Sequence, residues 1–135
     1  MPNFATEEDM EFEVKIMLIL YTGIKCPKCP PARKIVRDVS KELGLIEGKD
    51  FVEKLIDGSE LNQGIIELEG EKYNIVFSVD DINPQKTPAA LVGEDFSMEA
   101  LMYQIASTPS IVIDDEAVFI GVVPSKEELI KAING

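Results

Sequence analysis

The 135-residue chain has no histidine, no tryptophan and only two cysteines. Without histidine there is no Ser-His-Asp or Cys-His catalysis and no imidazole to bind a metal. Two cysteines cannot build the multi-bridge framework of a small secreted domain. Long apolar runs are missing too: the longest, residues 16–21, falls far short of the roughly 20 residues that span a bilayer. Basic residues are few, 13 against 25 acidic ones, and a net charge of −12 repels both nucleic acid and anionic lipid. Neither nucleic acid nor a membrane is expected as a partner. Residues 1–13 form an acidic N-terminal extension without the basic start of a secretion signal, so the expected address is cytoplasmic, where thiols stay reduced.

What remains is an ordinary globular composition, 45% apolar and 28% charged, at the length of a single domain with a core of its own. Residues 14–21 (VKIMLILY) read as a central strand covered on both faces. A Thr-Gly turn leads to Cys26-Pro27-Lys28-Cys29, and residues 31–43 follow as a helix. Ala32, Ile35, Val36, Val39 and Leu43 recur at helical spacing, Pro31 suits the first turn, and Gly44 stops the helix. Residues 51–56 make a second strand, so the opening is β-α-β.

The last third reads α-β-β-α. Met98, Leu101, Met102 and Ile105 mark the expected buried face of a helix capped by Ser97. Thr108-Pro109 then leads into a hairpin of residues 111–113 and 117–120. Ser125 and Glu128 form a capping box for a final helix. Between these halves, residues 58–96 read as an insertion. Residues 65–68 and 73–77 suggest a hairpin, and residues 80–93 read as a loop broken by Asn83-Pro84 and Thr87-Pro88.

The chemistry concentrates at Cys26 and Cys29. A Cys-x-x-Cys is half a zinc site, but the chain supplies no further cysteine or histidine. A carboxylate-completed metal site, or a dimer bridging a metal or iron–sulfur cluster through both tetrads, stays open as an alternative. As a redox pair, one thiolate attacks a disulfide and the other resolves the mixed disulfide. The strand before and the helix after are the setting such a pair requires. Cys26 is expected at a helix N-terminus, where unpaired amides and the macrodipole favour a thiolate. Lys25 and Lys28 add field of the same sign, and Pro27 stiffens the loop. Arg33 and Lys34, a turn further on, read equally well as a solvated face. Lys25, Lys28, Arg33, Lys34, Arg37 and Lys41 crowd a stretch whose only acid is Asp38, so the positive charge sits on the segment with the thiols. Cys26, the N-terminal and more exposed sulfur, is expected to attack and Cys29 to resolve. A redox-sensing or binding module without turnover is a competing function.

The element order, the CPKC tetrad at the first helix and Thr108-Pro109 before a terminal β-β-α together resemble the thioredoxin/glutaredoxin superfamily. The likeness is nearest to the glutaredoxin-like thioredoxins of archaea and anaerobic bacteria. It implies an α/β thioredoxin-like fold and a thiol–disulfide oxidoreductase that works as a monomer without a bound cofactor. The implied partners are protein disulfides and an upstream reductase. It further implies that Pro109 is cis and packs against the redox pair, and that Thr108 offers its backbone to an extended substrate. Three departures stand out. Lys25 and Leu20 replace the family's tryptophan before the first cysteine and its buried aspartate in the first strand, so the proton acceptor is unidentified, with Asp57 a candidate. Gly121-Val122 replaces the Gly-Gly pair of many glutaredoxins, which argues against glutathione use.

Overall fold

The run before the cysteines becomes β1 (Leu18–Thr22), whose Leu18, Leu20 and Tyr21 are fully buried. The computed structural model describes residues 16–68, 70–83, 88–93 and 95–135, so the acidic extension at 1–13 lies outside the described residues. Burial on both faces follows from position: β1 pairs parallel with β2 (Phe51–Leu55) and antiparallel with β6 (Ser110–Ile113). β6 in turn pairs antiparallel with β7 (Glu116–Ile120) across a turn in which Asp114 and Asp115 take positive φ. Both residues are of the type that tolerates that region.

Helices cover both faces of this sheet. On one side α1 (Cys29–Leu43) and α3 (Lys126–Asn134) bury Ala32, Val36, Val39 and Leu129 against Leu18, Leu20, Ile111 and Ile113. Gly44 ends α1 in the left-handed conformation, with its amide turned back to the Lys41 carbonyl. The capping box of α3 is present in both directions, Ser125 Oγ accepting from Glu128 N and Glu128 Oε1 from Ser125 N. On the other side, α2 (Phe96–Met102) packs Ala100, followed by Ile105, against Tyr21 and Val112. The result is the expected α/β thioredoxin-like fold, a mixed sheet flanked by helices.

Two expectations fail, each for a physical reason. Residues 80–93 are not one loop. The hairpin forms as β3 (Gly64–Leu68) and β4 (Glu71–Val76), but Ala89–Leu91 is a further buried strand, β5, parallel to both β4 and β2. The sheet order is therefore β3-β4-β5-β2-β1-β6-β7. Three residues are too few to show a periodicity, and β5 is held by partners distant in sequence. The Pro88 carbonyl accepts from Asn74 N, and Glu47 and Arg37 take up the Ala89 amide and carbonyl.

The helix register also differs. Met98, Leu101 and Met102, expected to face the core, are exposed at 61%, 59% and 80%, and Asp95 rather than Ser97 holds the N-cap position. Glu99 decides the rotation, because its Oε1 accepts from Tyr21 Oη at 2.5 Å and from Lys54 Nζ at 2.6 Å. A charge-assisted pair of bonds at a half-buried carboxylate outweighs the burial of one apolar stripe.

Candidate active site

The turn between β1 and α1 gathers the expected residues at one end of the central strand. Helix α1 begins at Cys29, two residues before the start read at Pro31, because Pro30 and Pro31 suit the first turn where no amide donor is needed. Cys26 stands just ahead of that start, and the Cys29 amide donates back to the Cys26 carbonyl at 3.2 Å. Both cysteines are free thiols; Cys26 is half-buried and Cys29 fully buried. Lys25, Pro27 and Lys28 are exposed around them.

Thr108 and Pro109 close the site from the other side. The Thr108–Pro109 peptide is cis, as the resemblance implied. The Cys26 thiol lies 3.5 Å from the Thr108 carbonyl, which accepts from it. Gly23 sits at the centre of the group. A side-chain carbon there would lie 3.5 Å from both Thr108 Oγ1 and Asp57 Oδ2 and 3.7 Å from Cys26 Cβ. Asp57, the candidate proton acceptor, accepts from Ile24 N through both oxygens, at 3.0 and 3.1 Å, which fixes the turn. Gly121, at φ +71, ties the next turn to this loop, its amide donating to the Pro109 carbonyl at 2.8 Å. A Cβ at Gly121 would meet Ser107 Oγ at 2.4 Å, a hydroxyl that can turn aside, so it is the backbone conformation that favours glycine.

The two sulfurs differ in acidity in opposite senses. Burial, the largest single influence on Cys26, pushes its thiol up. Hydrogen bonds from the Cys29 thiol, the Thr108 side chain and the Lys28 and Cys29 amides outweigh it, and the net shift is down. Cys29 is pushed up to about 12, first by burial, then by its bond to Cys26 and that group's charge; the Gly23 amide, 3.5 Å from its sulfur, works against this. The arrangement can hold an attacking thiolate at Cys26 and a reserve thiol at Cys29. Alkylation of the reduced protein is expected to label Cys26 first. Its rate should rise with pH to a midpoint lower than that of an unperturbed thiol, while Cys29 labels only in strong base. Peptide mapping across a pH series checks this, and the reverse order overturns it.

Among the described residues, no group of three or more Cys, Asp or Glu is placed to hold a metal, and no helix is long and apolar enough to cross a membrane.

Comparison with known proteins now adds to this geometry. The family model of the thioredoxin domain matches residues 85–134, a stretch holding Thr108 and Pro109 but neither cysteine. A thioredoxin of Methanocaldococcus jannaschii is 30% identical over 119 residues, which span 88% of this chain and 93% of that protein. The chain belongs to the thioredoxin family. With that membership comes a thioredoxin-like redox function. No solved structure matches it.

One feature of this thioredoxin-family site escapes the sequence. Arg33 and Glu53, exposed by only 2% and 1%, form a buried ion pair at 2.6 Å beside the helix that carries Cys29. Arg37 joins Glu53 to Glu47, at 3.0 and 2.6 Å, and Thr22 Oγ1 donates to Glu53 at 2.6 Å. Arg33 is thus core, whereas Lys34 is solvated and pairs with Asp38 at the surface. The available signal was spacing: Cys29, Arg33 and Arg37 fall at i, i+4 and i+8, on one side of a helix.

Proposed function

We propose that the protein is a thiol–disulfide oxidoreductase that reduces disulfides in other proteins through Cys26 and Cys29. The single observation that carries this reading is the asymmetry of the pair. A half-buried sulfur of lowered pKa stands in front of a helix, and a buried thiol of raised pKa stands one turn behind. Cys26 thiolate attacks one sulfur of a substrate disulfide, and the other sulfur leaves as a thiolate that takes a proton from water. Cys29 then loses its proton and attacks Cys26 Sγ, forming the Cys26–Cys29 bond and releasing the second substrate sulfur. The substrate ends with two thiols and the protein with one disulfide, to be reduced by an upstream dithiol or reductase.

In this reading the half-exposed Thr108 presents its backbone to an extended substrate segment beside Pro109, while Lys25, Pro27 and Lys28 tune the thiolate and the approach. A reducing compartment, the cytoplasm, is where such a dithiol operates. Dithiothreitol-driven reduction of insulin is expected for the native protein and should vanish in Cys26→Ser. Reversible disulfide formation without turnover on any protein substrate would instead favour a redox-sensing module.

A further inference from the structure

The buried charges beneath the site are arranged in order. Glu53, from β2, sits between two guanidinium groups of α1, accepting from Arg33 Nε at 2.6 Å and Arg37 Nη1 at 3.0 Å. Glu47 lies beyond, 2.6 Å from Arg37 Nη2. Along the helix the sequence of groups is therefore Cys29, Arg33, Glu53, Arg37, Glu47. The four charges cancel, yet the cationic end is the one beside the thiol, in the same sense as the helix dipole. Arg33 does more than sit nearby. Its Nη2 donates to the Gly23 carbonyl at 3.3 Å, and the Gly23 amide donates to Cys29 Sγ at 3.5 Å. Its Nη1 is buried without a hydrogen-bond partner, so Glu53 does not satisfy the whole guanidinium.

We propose that Arg33 is a positioning residue for Cys29, holding Gly23 against the sulfur and easing formation of the Cys29 thiolate in the resolving step. This rests on the dithiol-exchange reading above. In the mixed disulfide, Cys26 is bonded and uncharged. Its repulsion of a second thiolate is then gone, but the burial that dominates at Cys29 remains. A fixed positive field offsets burial without admitting water, in the same direction as the hydrogen bond from the Gly23 amide. Among the described residues, Cys26, the Thr108 side chain and the Gly23 amide act on Cys29, Arg33 interacts with it from the same helix, Asp57 lies beside Gly23, and the Lys28 amide faces Cys26. Glu53 of β2 and Tyr73 of β4 face Arg33, with the guanidinium 5.3 Å from the Tyr73 ring centre. Lys25 and Lys28 are exposed, where water screens them. Arg33 is the buried cation of the set.

The test has two readouts. In a Cys26→Ser background, Cys29 is titrated by thiolate absorbance; Arg33→Met should raise the midpoint by about one pH unit or more. In the protein with both cysteines, a mixed disulfide is made between Cys26 and thionitrobenzoate, and release of the aromatic thiolate is timed. Arg33→Met should slow release about tenfold at neutral pH, and Arg33→Lys should recover part of the rate and of the midpoint. Because Arg33→Met leaves Glu53 with fewer partners, Arg33→Met/Glu53→Gln serves as the variant with both charges removed. Unchanged midpoint and release rate in either folded variant overturn the proposal. If the native protein itself releases no thionitrobenzoate, the exchange reading fails and this proposal with it, which distinguishes the two failures.

Discussion

Glu53→Leu is expected to cost about 3–5 kcal/mol of stability, seen in urea unfolding as a fall in midpoint with little change in slope. The size follows from what the substitution leaves behind. Glu53 is 1% exposed and accepts from Thr22, Arg33 and Arg37 together. Arg33, 2% exposed, has no other acid within ion-pair distance among the described residues, and an arginine cannot shed its proton to escape burial. Arg37 fares better, since Glu47 still holds its other nitrogen at 2.6 Å. The cost is thus mainly one stranded guanidinium, with the orphaned Thr22 hydroxyl adding a smaller term. For a domain whose whole stability is of order 5–15 kcal/mol, such a loss brings it near unfolding. Glu53→Gln, which keeps an acceptor but not the charge, should cost clearly less. A loss below about 1 kcal/mol in Glu53→Leu contradicts the buried-pair geometry.

The same network shows why sequence reading reached some parts of this fold and not others. Local signals were sufficient where both the cause and its effect lie within a few residues. Gly44 stops α1 and Ser125 and Glu128 cap α3, both read from short spacings and both present, and Pro31 lies in the first turn of α1, although that helix starts two residues earlier than read. The run leading into β1 announced burial on both faces because it is apolar from Leu18 to Tyr21, and pairing with β2 and β6 supplies that burial. The failures share the opposite property. β5 is three residues long and is fixed by β4, β2, Arg37 and Glu47, none of them adjacent in sequence. The rotation of α2 is fixed by Glu99 reaching Tyr21, 78 positions away, so the Met98, Leu101 and Met102 stripe pointed to the wrong face. Arg33 read equally well as a solvated cation because its acid lies on β2, 20 positions on. Charged residues become core only when a partner arrives, and single-residue patterns carry no record of partners.

Cys29→Ser is expected to convert the protein into a trap. Cys26 keeps its half-exposed position, its first-turn amides and the Thr108 contact, so the attack on a substrate disulfide proceeds. The second step needs a thiolate at position 29, and a serine hydroxyl at neutral pH is a far weaker nucleophile. Mixed disulfides with partner proteins should therefore persist on non-reducing gels and disappear with dithiothreitol. A Cys26→Ser/Cys29→Ser control should hold none. Lys25 and Lys28 stand exposed at the mouth of the site in a chain of net charge −12, so approach is favoured for partners that present acidic surface there and opposed elsewhere. Capture should accordingly weaken as salt rises through about 0.1 M, where the Debye length falls to about 10 Å. Charge reversal at both lysines should lower capture at low salt and remove most of that dependence. Equal capture by Cys29→Ser and the double-serine control removes the support for protein disulfide reduction. Salt-independent capture instead leaves the reduction intact and strips the two lysines of a steering role.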